Sequence, residues 1–301
     1  MHVVSALRDP LTRALCVEQR GTRASLAMDT LCGAVDSLVV SEAAPPAAAD
    51  AEAAPPASEP PSVPPSEPPP GGLVDTEAGV RQLAAWLMET KKTVAFDAEG
   101  VDLCRNGRLA LVQLSDGEKT WLVDVVALGK VAFDDGGLKG VLESRDVLKV
   151  VYDGRGDADA LFGQFGVRLQ NCYDVQIASC KRQDSEQCSP DKFVHGLSKA
   201  MGVFLEGDSS RAAKIKTTKE AGLLAFAPEH GGSYQVWINR PLPQSLVDYA
   251  TADVSLLIEM MDKWQRFSPV ALNVAASAAR IGRAVNGKKA AKGPRMALKD
   301  F

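Results

Sequence analysis

Eleven of the chain's 18 prolines fall between Pro45 and Pro70. Proline fixes φ and carries no N–H, so neither a helix interior nor a central strand can run through such a stretch. The rest of it is Ala, Ser and Glu with almost no large apolar side chain, which predicts a disordered or partly polyproline-II arm. Any folded body must be built after it. With 46% apolar residues in 301 positions, the chain has material for a sizeable core there.

Charge divides the chain at similar places. Residues 1–72 hold four Lys/Arg against nine Asp/Glu, and residues 268–301 hold seven against one. The expected organisation is an arm over 1–72, a folded domain over 73–267 and a basic tail over 268–301. The domain is then net acidic, which argues against a generic polyanion binder unless its acids are gathered around bound cations. In the tail, Arg280, Arg283, Lys288, Lys289, Lys292 and Arg295 offer an electrostatic tether for nucleic acid or, equally, a solvated end.

The six cysteines show no C-x₂₋₄-C spacing, so neither a zinc site nor a disulfide scaffold is indicated, and reduced thiols in an intracellular protein are expected. Arg8, Asp9 and Arg13 interrupt any secretory signal, and no apolar run is long enough to span a bilayer. Cytoplasm or nucleus is the expected compartment, with Arg8, Arg13, Arg20 and Arg23 leaving an organelle address open.

From Leu73 onward the pattern turns regular. TEAGVRQLAAWLMETKK repeats Val80, Leu83, Trp86 and Leu87 at helical spacing behind a Thr76 cap. TVAFDAEG, LALVQLSD and WLVDVV read as a meander of three strands, DVLKVVYD as a fourth strand entering a helix at DADALFGQFG, and RLQNCYD as a fifth entering DVQIASCKR. A short helix is expected near GLSKAMGVF. A last helix is expected from RPLPQS to Trp264, burying Leu246, Ala250, Val254, Leu257 and Met261. Strands first and alternating helices later predict an α/β layer on a mixed sheet.

The chemistry lies in five residues in this order. Asp97 and Glu99 are two apart on a strand and so project from one face. Tyr249 and Asp253 are four apart on a helix and so share a face. Asp157, in VVYDGRGDADAL, opens a helix between them. Four converging carboxylates repel one another unless cations neutralise them, and hard oxygen donors select Mg²⁺ or Mn²⁺. Two such ions, roughly 3.5–4 Å apart, suit in-line phosphoryl displacement by water.

These segments resemble the motifs of the DEDDy 3′-to-5′ exonucleases, the ribonuclease D and Werner-type branch of the RNase H-like superfamily. FDAEG and LALVQLS match the D-x-E strand and the following Q-[LI] strand. Lys149, Tyr152 and Asp157 match the second motif, Tyr249 and Asp253 the third, and RPLP precedes the latter as in the family. The resemblance spans about Leu73 to Trp264. It implies an RNase H-like mixed sheet flanked by helices, a metal pair on Asp97, Glu99, Asp157 and Asp253, and a nucleophilic water positioned or deprotonated by Tyr249. The substrate implied is nucleic acid with a free 3′ end, single-stranded RNA being favoured over DNA, with release of nucleoside 5′-monophosphates. Tyr152 stands where ribonuclease D itself usually has histidine. The stretch from Lys216 to Pro243 is similar to a fungal-type group of exonuclease-domain proteins. No counterpart of the helical domain that follows the nuclease in ribonuclease D is expected in the residues after Trp264.

Other readings compete residue by residue. Gly154-x-Gly156 followed by Asp174 has the outline of a dinucleotide site, but Asp159 fills the third glycine position and Asp157 lies where a pyrophosphate would need positive charge. Asp153 and Asp159 flank Asp157 as rival acids, and Asp248 beside Tyr249 faces elsewhere on its helix. His195 and His230 have no partner at metal-ligand spacing. Arg211, Lys214, Lys216 and Lys219 form a basic run suited to tracking phosphates, while Phe226, Tyr234 and Trp237 would mostly pin a loop to the core. From another class, an adaptor that binds nucleic acid without cutting it would share the fold, and the x-P-P-x repeats of 45–70 suit a polyproline-binding partner.

Overall fold

The computed structural model describes residues 67–134, 137–186, 193–287, 299 and 301. The arm before residue 67 and Lys288, Lys289, Lys292 and Arg295 lie outside them. Among the described residues no helix is long and apolar enough to cross a membrane.

Six strands form one sheet: β1 (Gly72–Val74), β2 (Thr93–Val101), β3 (Arg108–Ser115), β4 (Thr120–Asp124), β5 (Leu148–Val151) and β6 (Cys172–Asp174), in the order β1-β4-β3-β2-β5-β6. β2, β3 and β4 are the expected antiparallel meander. β1 joins β4, and β5 and β6 extend β2, all in parallel. The predicted mixed sheet flanked by helices is therefore present.

Strand alternation decides what each face buries. Val94, Phe96 and Ala98 of β2 enter a core shared with Val112 and Leu114 of β3 and with helices α1 (Glu77–Thr90), α3 (Leu138–Glu143) and α4 (Arg155–Phe165). Thr76 caps α1 by accepting from the Gly79 N–H at 3.2 Å, an arrangement worth about 1 kcal/mol. Between β4 and α3 lies the single-turn α2 (Val125–Leu128).

The opposite face carries two smaller apolar clusters. One gathers Ala95, Val150 and Tyr173 under α5 (Val175–Glu186), α6 (Leu197–Phe204) and α9 (Leu257–Trp264). The other gathers Leu111 and Leu122 under Trp237 and under Leu246 and Ala250 of α8 (Gln244–Ser255). The single last helix expected from the sequence is thus two, α8 and α9, joined at Leu256.

Two further differences matter for function. The weakly patterned segment around RAAKIKTTKE is an 18-residue helix, α7 (Ser209–Phe226), with Asp208 accepting from the Arg211 N–H as its cap. The chain also stays folded beyond residue 267. Helix α10 (Val270–Val285) packs on α4 and β6, and Ser268, Asn273, Ser277 and Arg280 are buried. Arg280 therefore belongs to the body of the protein and not to a basic tail: its guanidinium bonds Asp174, Gln176 and Asp153.

Candidate active site

Asp97 and Glu99 stand on the second face of β2, between its two apolar clusters, each half-buried. The register shifts between Glu99 and Gly100, where β2 and β3 approach so closely that a Cβ on Gly100 would lie 2.1 Å from the Arg108 carbonyl oxygen. Only glycine fits there. Parallel pairing of Ala95 with Val150 brings the exit of β5 alongside β2. The chain then turns through Asp153, at φ 58°, and starts α4, leaving Asp157 in the first helical turn and only 6% exposed. An acid is favoured at that end of a helix. α8 crosses the same face and supplies Tyr249 and Asp253 one turn apart.

One carboxylate oxygen from each of Asp97, Glu99 and Asp253 lies within 4.8 Å of the others. Asp157 stands outside this trio but close to it, and of the neighbouring charges it acts most strongly on Asp97. The rival acids are occupied elsewhere. Asp153 is bound by the Arg155 guanidinium, and Asp159 accepts from the Arg105 backbone N–H at 2.9 Å and from its Nε at 2.8 Å. Asp248 is exposed and accepts from Gln244. His195 shares a hydrogen with Ser179 at 2.8 Å and its carbonyl accepts from Tyr152, while His230 is exposed.

Burial and mutual repulsion set the electrostatics. Burial first, then Asp157, Asp253 and Glu99, push the Asp97 carboxyl well above its ordinary range, against a pull from Lys219. Glu99 is raised by burial and Asp253, and Asp253 by burial against the opposing pull of Lys219. Burial lifts Asp157 to about 7, although its own backbone N–H and that of Ala98 favour the anion. Burial first, and then the same acids, push the Tyr249 phenol far above its usual value.

Lys219 is the cation among these acids. It is 6% exposed, its ammonium donates to Asp253, and it sits 3.2 Å from the centroid of the Tyr249 ring. Of the basic run, Lys214 and Lys216 are exposed, whereas Lys219 is turned inward. The missed signal is a stripe on α7, Ala212, Ile215, Lys219, Gly222 and Phe226, with helical spacing throughout. Gly222 presses on the tyrosine so closely that a Cβ would fall 2.3 Å from Tyr249 Cδ2. Phe226 and Trp237 also pack against the Tyr249 ring, with centroids at 5.0 and 6.2 Å, and Tyr234 is partly exposed beside Phe226. The RPLP run is tied down by Arg240, which donates to both oxygens of Asp124 and to the Trp237 carbonyl.

The donor set fits hard divalent cations. One ammonium cannot neutralise four carboxylates, and Oδ1 of Asp157 is buried with no hydrogen-bond partner. Gln113, opposite Asp97 in the ladder and fully buried, leaves both ends of its amide without one. Buried polar atoms seldom go unpartnered where no ligand or water is to be held. Gln113 was legible only as a letter of the Q-[LI] motif, with no role attached.

A family model described as 3′-5′ exonuclease matches residues 73–266. The piRNA biogenesis protein EXD1 of Mus musculus is 31% identical over 185 residues, which cover 59% of this chain and 30% of that protein. The chain thus spans about a third of the length of this curated relative. Among solved structures, RNase D of Trypanosoma brucei bound to GMP superimposes with a TM-score of 0.59 at 22% identity, over 76% of this chain and 69% of that one. The same enzyme with RNA U12 gives 0.58 at 23% identity, over 76% of each chain. These likenesses show a shared RNase H-like fold, and the family match shows more: the chain belongs to the 3′-5′ exonuclease family.

Proposed function

We propose that this chain is an active, metal-dependent exonuclease that hydrolyses single-stranded RNA from its 3′ end. The observation that carries the reading is the convergence of Asp97, Glu99 and Asp253, with the buried, partly unpartnered Asp157 beside them. In this reading the four acids hold two Mg²⁺ or Mn²⁺ ions. When bound, such ions supply a water acidic enough to attack at neutral pH and stabilise charge on the departing oxygen.

The chain's own residues then have distinct tasks. Tyr249 presents its hydroxyl to the attacking water and orients it. That hydroxyl is aimed by the ring's fixed packing against Gly222, Phe226 and Trp237. Water adds to phosphorus of the last phosphodiester, the bond to the 3′ oxygen breaks, and a nucleoside 5′-monophosphate leaves while the shortened strand keeps a 3′-hydroxyl. Exposed Lys214 and Lys216 on α7 meet the incoming phosphates. The preference for RNA is supported by a relative named for piRNA biogenesis and a fold neighbour solved with RNA. A polyproline-binding partner for residues 45–70 is compatible with this activity.

The test is a 5′-labelled single-stranded RNA and its DNA counterpart, incubated with Mg²⁺, Mn²⁺ or EDTA. A metal-dependent ladder shortening from the 3′ end is expected, with Asp97→Ala losing about 10³-fold or more and Tyr249→Phe about 10²-fold. Retained RNA binding with no cleavage by the wild type would replace this reading with the adaptor.

A further inference from the structure

α7 buries few residues, and the two most deeply covered are Lys219 and Gly222. Its stripe is apolar at the ends: Ala212 and Ile215 pack on one cluster, Ala225 and Phe226 on the other. Between them, at the position directly over the acids, the stripe changes chemistry. An apolar residue at 219 would complete the helix's buried face in the ordinary way. A lysine there is costly to desolvate and is retained only where charge repays it.

Its surroundings show what it repays. The ammonium bonds an oxygen of Asp253, the same carboxylate whose oxygen lies within 4.8 Å of Asp97 and Glu99. The Tyr249 ring lies under it at 3.2 Å, an arrangement that attracts a cation to the ring face. An ammonium so placed does electrostatically for Asp253 what a divalent ion does. Four ionised carboxylates are balanced by two divalent ions alone, and adding the ammonium would leave an excess positive charge in a buried site.

We propose that Lys219 is a built-in counter-cation that competes with divalent metal for Asp253, so that α7 clamps the site in its metal-free state and metal binding displaces the ammonium. The proposal rests on the divalent-cation reading of the four acids. It makes Lys219 a positioning residue: in the metal-free protein it holds Asp253 and the Tyr249 ring in register, and when the site is loaded it yields the carboxylate. The device accounts for the placement of a lysine and a tyrosine-fitting glycine on the stripe, because a bulkier residue at 222 would lift α7 and separate the ammonium from Asp253.

The experiment is calorimetric titration of Mn²⁺ into the full chain, wild type against Lys219→Met, with melting temperatures of both in EDTA. The expected result is Mn²⁺ affinity raised roughly tenfold or more in Lys219→Met, together with a lower melting temperature in EDTA. A merely structural lysine would lower the melting temperature without tightening metal binding, so equal or weaker Mn²⁺ affinity in a folded Lys219→Met overturns the proposal. If the wild type binds no Mn²⁺, the metal-site reading itself fails, which is a different outcome from equal binding by the two proteins. Should Lys219→Met not fold, the wild type still decides the matter. Its lysines are labelled biosynthetically with ¹³C, and the Lys219 Cε signal is assigned by its absence in Lys219→Arg. Saturation with diamagnetic Mg²⁺ is expected to shift that signal, and an unmoved signal counts against displacement.

Discussion

The protein buries two groups of acids within a few residues of each other, and they are built on opposite terms. Around Asp174, the Arg280 guanidinium and the backbone N–H groups of Asp153 and Gln176 donate to the carboxylate, the Asp174 N–H donates to Asn273 Oδ1 and the Ser277 hydroxyl oxygen, and Asp153 is shared between Arg155 and Arg280. Burial still holds the Asp174 carboxyl above its ordinary range, with Arg280 pulling it back. This group fastens α10 to the ends of β5 and β6. Around Asp253, four carboxylates share a single ammonium, and Asp157 keeps an unpartnered oxygen. A satisfied network fixes structure, whereas an undersupplied one is arranged for charge that comes from outside.

The largest expected effect would break the first group. Arg280→Ala leaves Asp174 buried without its cation and should cost about 3–5 kcal/mol, measured by urea denaturation, with added Mg²⁺ making no difference. Restoration of that loss by Mg²⁺ would mean that the two groups are not separate.

A change of pH sharpens the contrast. The folded pKa of Asp157 is raised to about 7, against about 4 for an unfolded aspartate. Between these values the folded state holds more protons than the unfolded one, so stability falls as pH rises through about 4–7. Asp97, Glu99 and Asp253 are raised as well and act in the same sense. In EDTA the melting temperature is expected to drop by roughly 4–8 °C between pH 5 and pH 8, and Mg²⁺ to restore more of it at pH 8. A loss that Mg²⁺ leaves unchanged would place its origin at Asp174.

Gly222→Ala tests the tyrosine side of the second group. The added Cβ must move the Tyr249 ring or lift α7, which should cost about 1–3 kcal/mol and about 10²-fold in kcat through misaligned geometry. Normal turnover with normal stability would show that the ring's position is immaterial. At the bottom of the scale, Lys216→Ala breaks an exposed 3.8 Å pair with Glu220. It should leave the melting temperature within about 1 °C while weakening RNA binding at low salt.

How much of this the sequence revealed depends on what each residue's neighbours had to contribute. Asp97 with Glu99, and Tyr249 with Asp253, were legible because strand and helix periodicity alone put each pair on one face. The meander and the helices α1, α4, α5 and α6 were legible for the same reason, whereas α2 and α3 were not foreseen. Lys219 was not, because its meaning comes from α8, thirty residues on, and from an apolar stripe in which it replaces the expected side chain. Arg280 was hidden in the same way: counted with neighbouring basic residues it resembled a solvated tail, and only β6 reveals its partner. β1 escaped notice because three residues, Gly72–Val74, carry no periodicity and form a strand only by pairing with β4.

That pairing has a consequence for the molecule's behaviour among its own copies. An exposed sheet margin is a template on which a second chain can add a strand, and long flat margins invite aggregation. Among the described residues the two margins, β1 and β6, are three residues long, and β6 is backed by α10. The central strands, where Leu111, Val112 and Leu114 would make a sticky ladder, are paired on both sides. Removing β1 would expose β4, with Trp121, Leu122 and Val123, as a new margin. The three residues of β1 therefore act as a selvedge, covering a longer and more apolar strand with a short one.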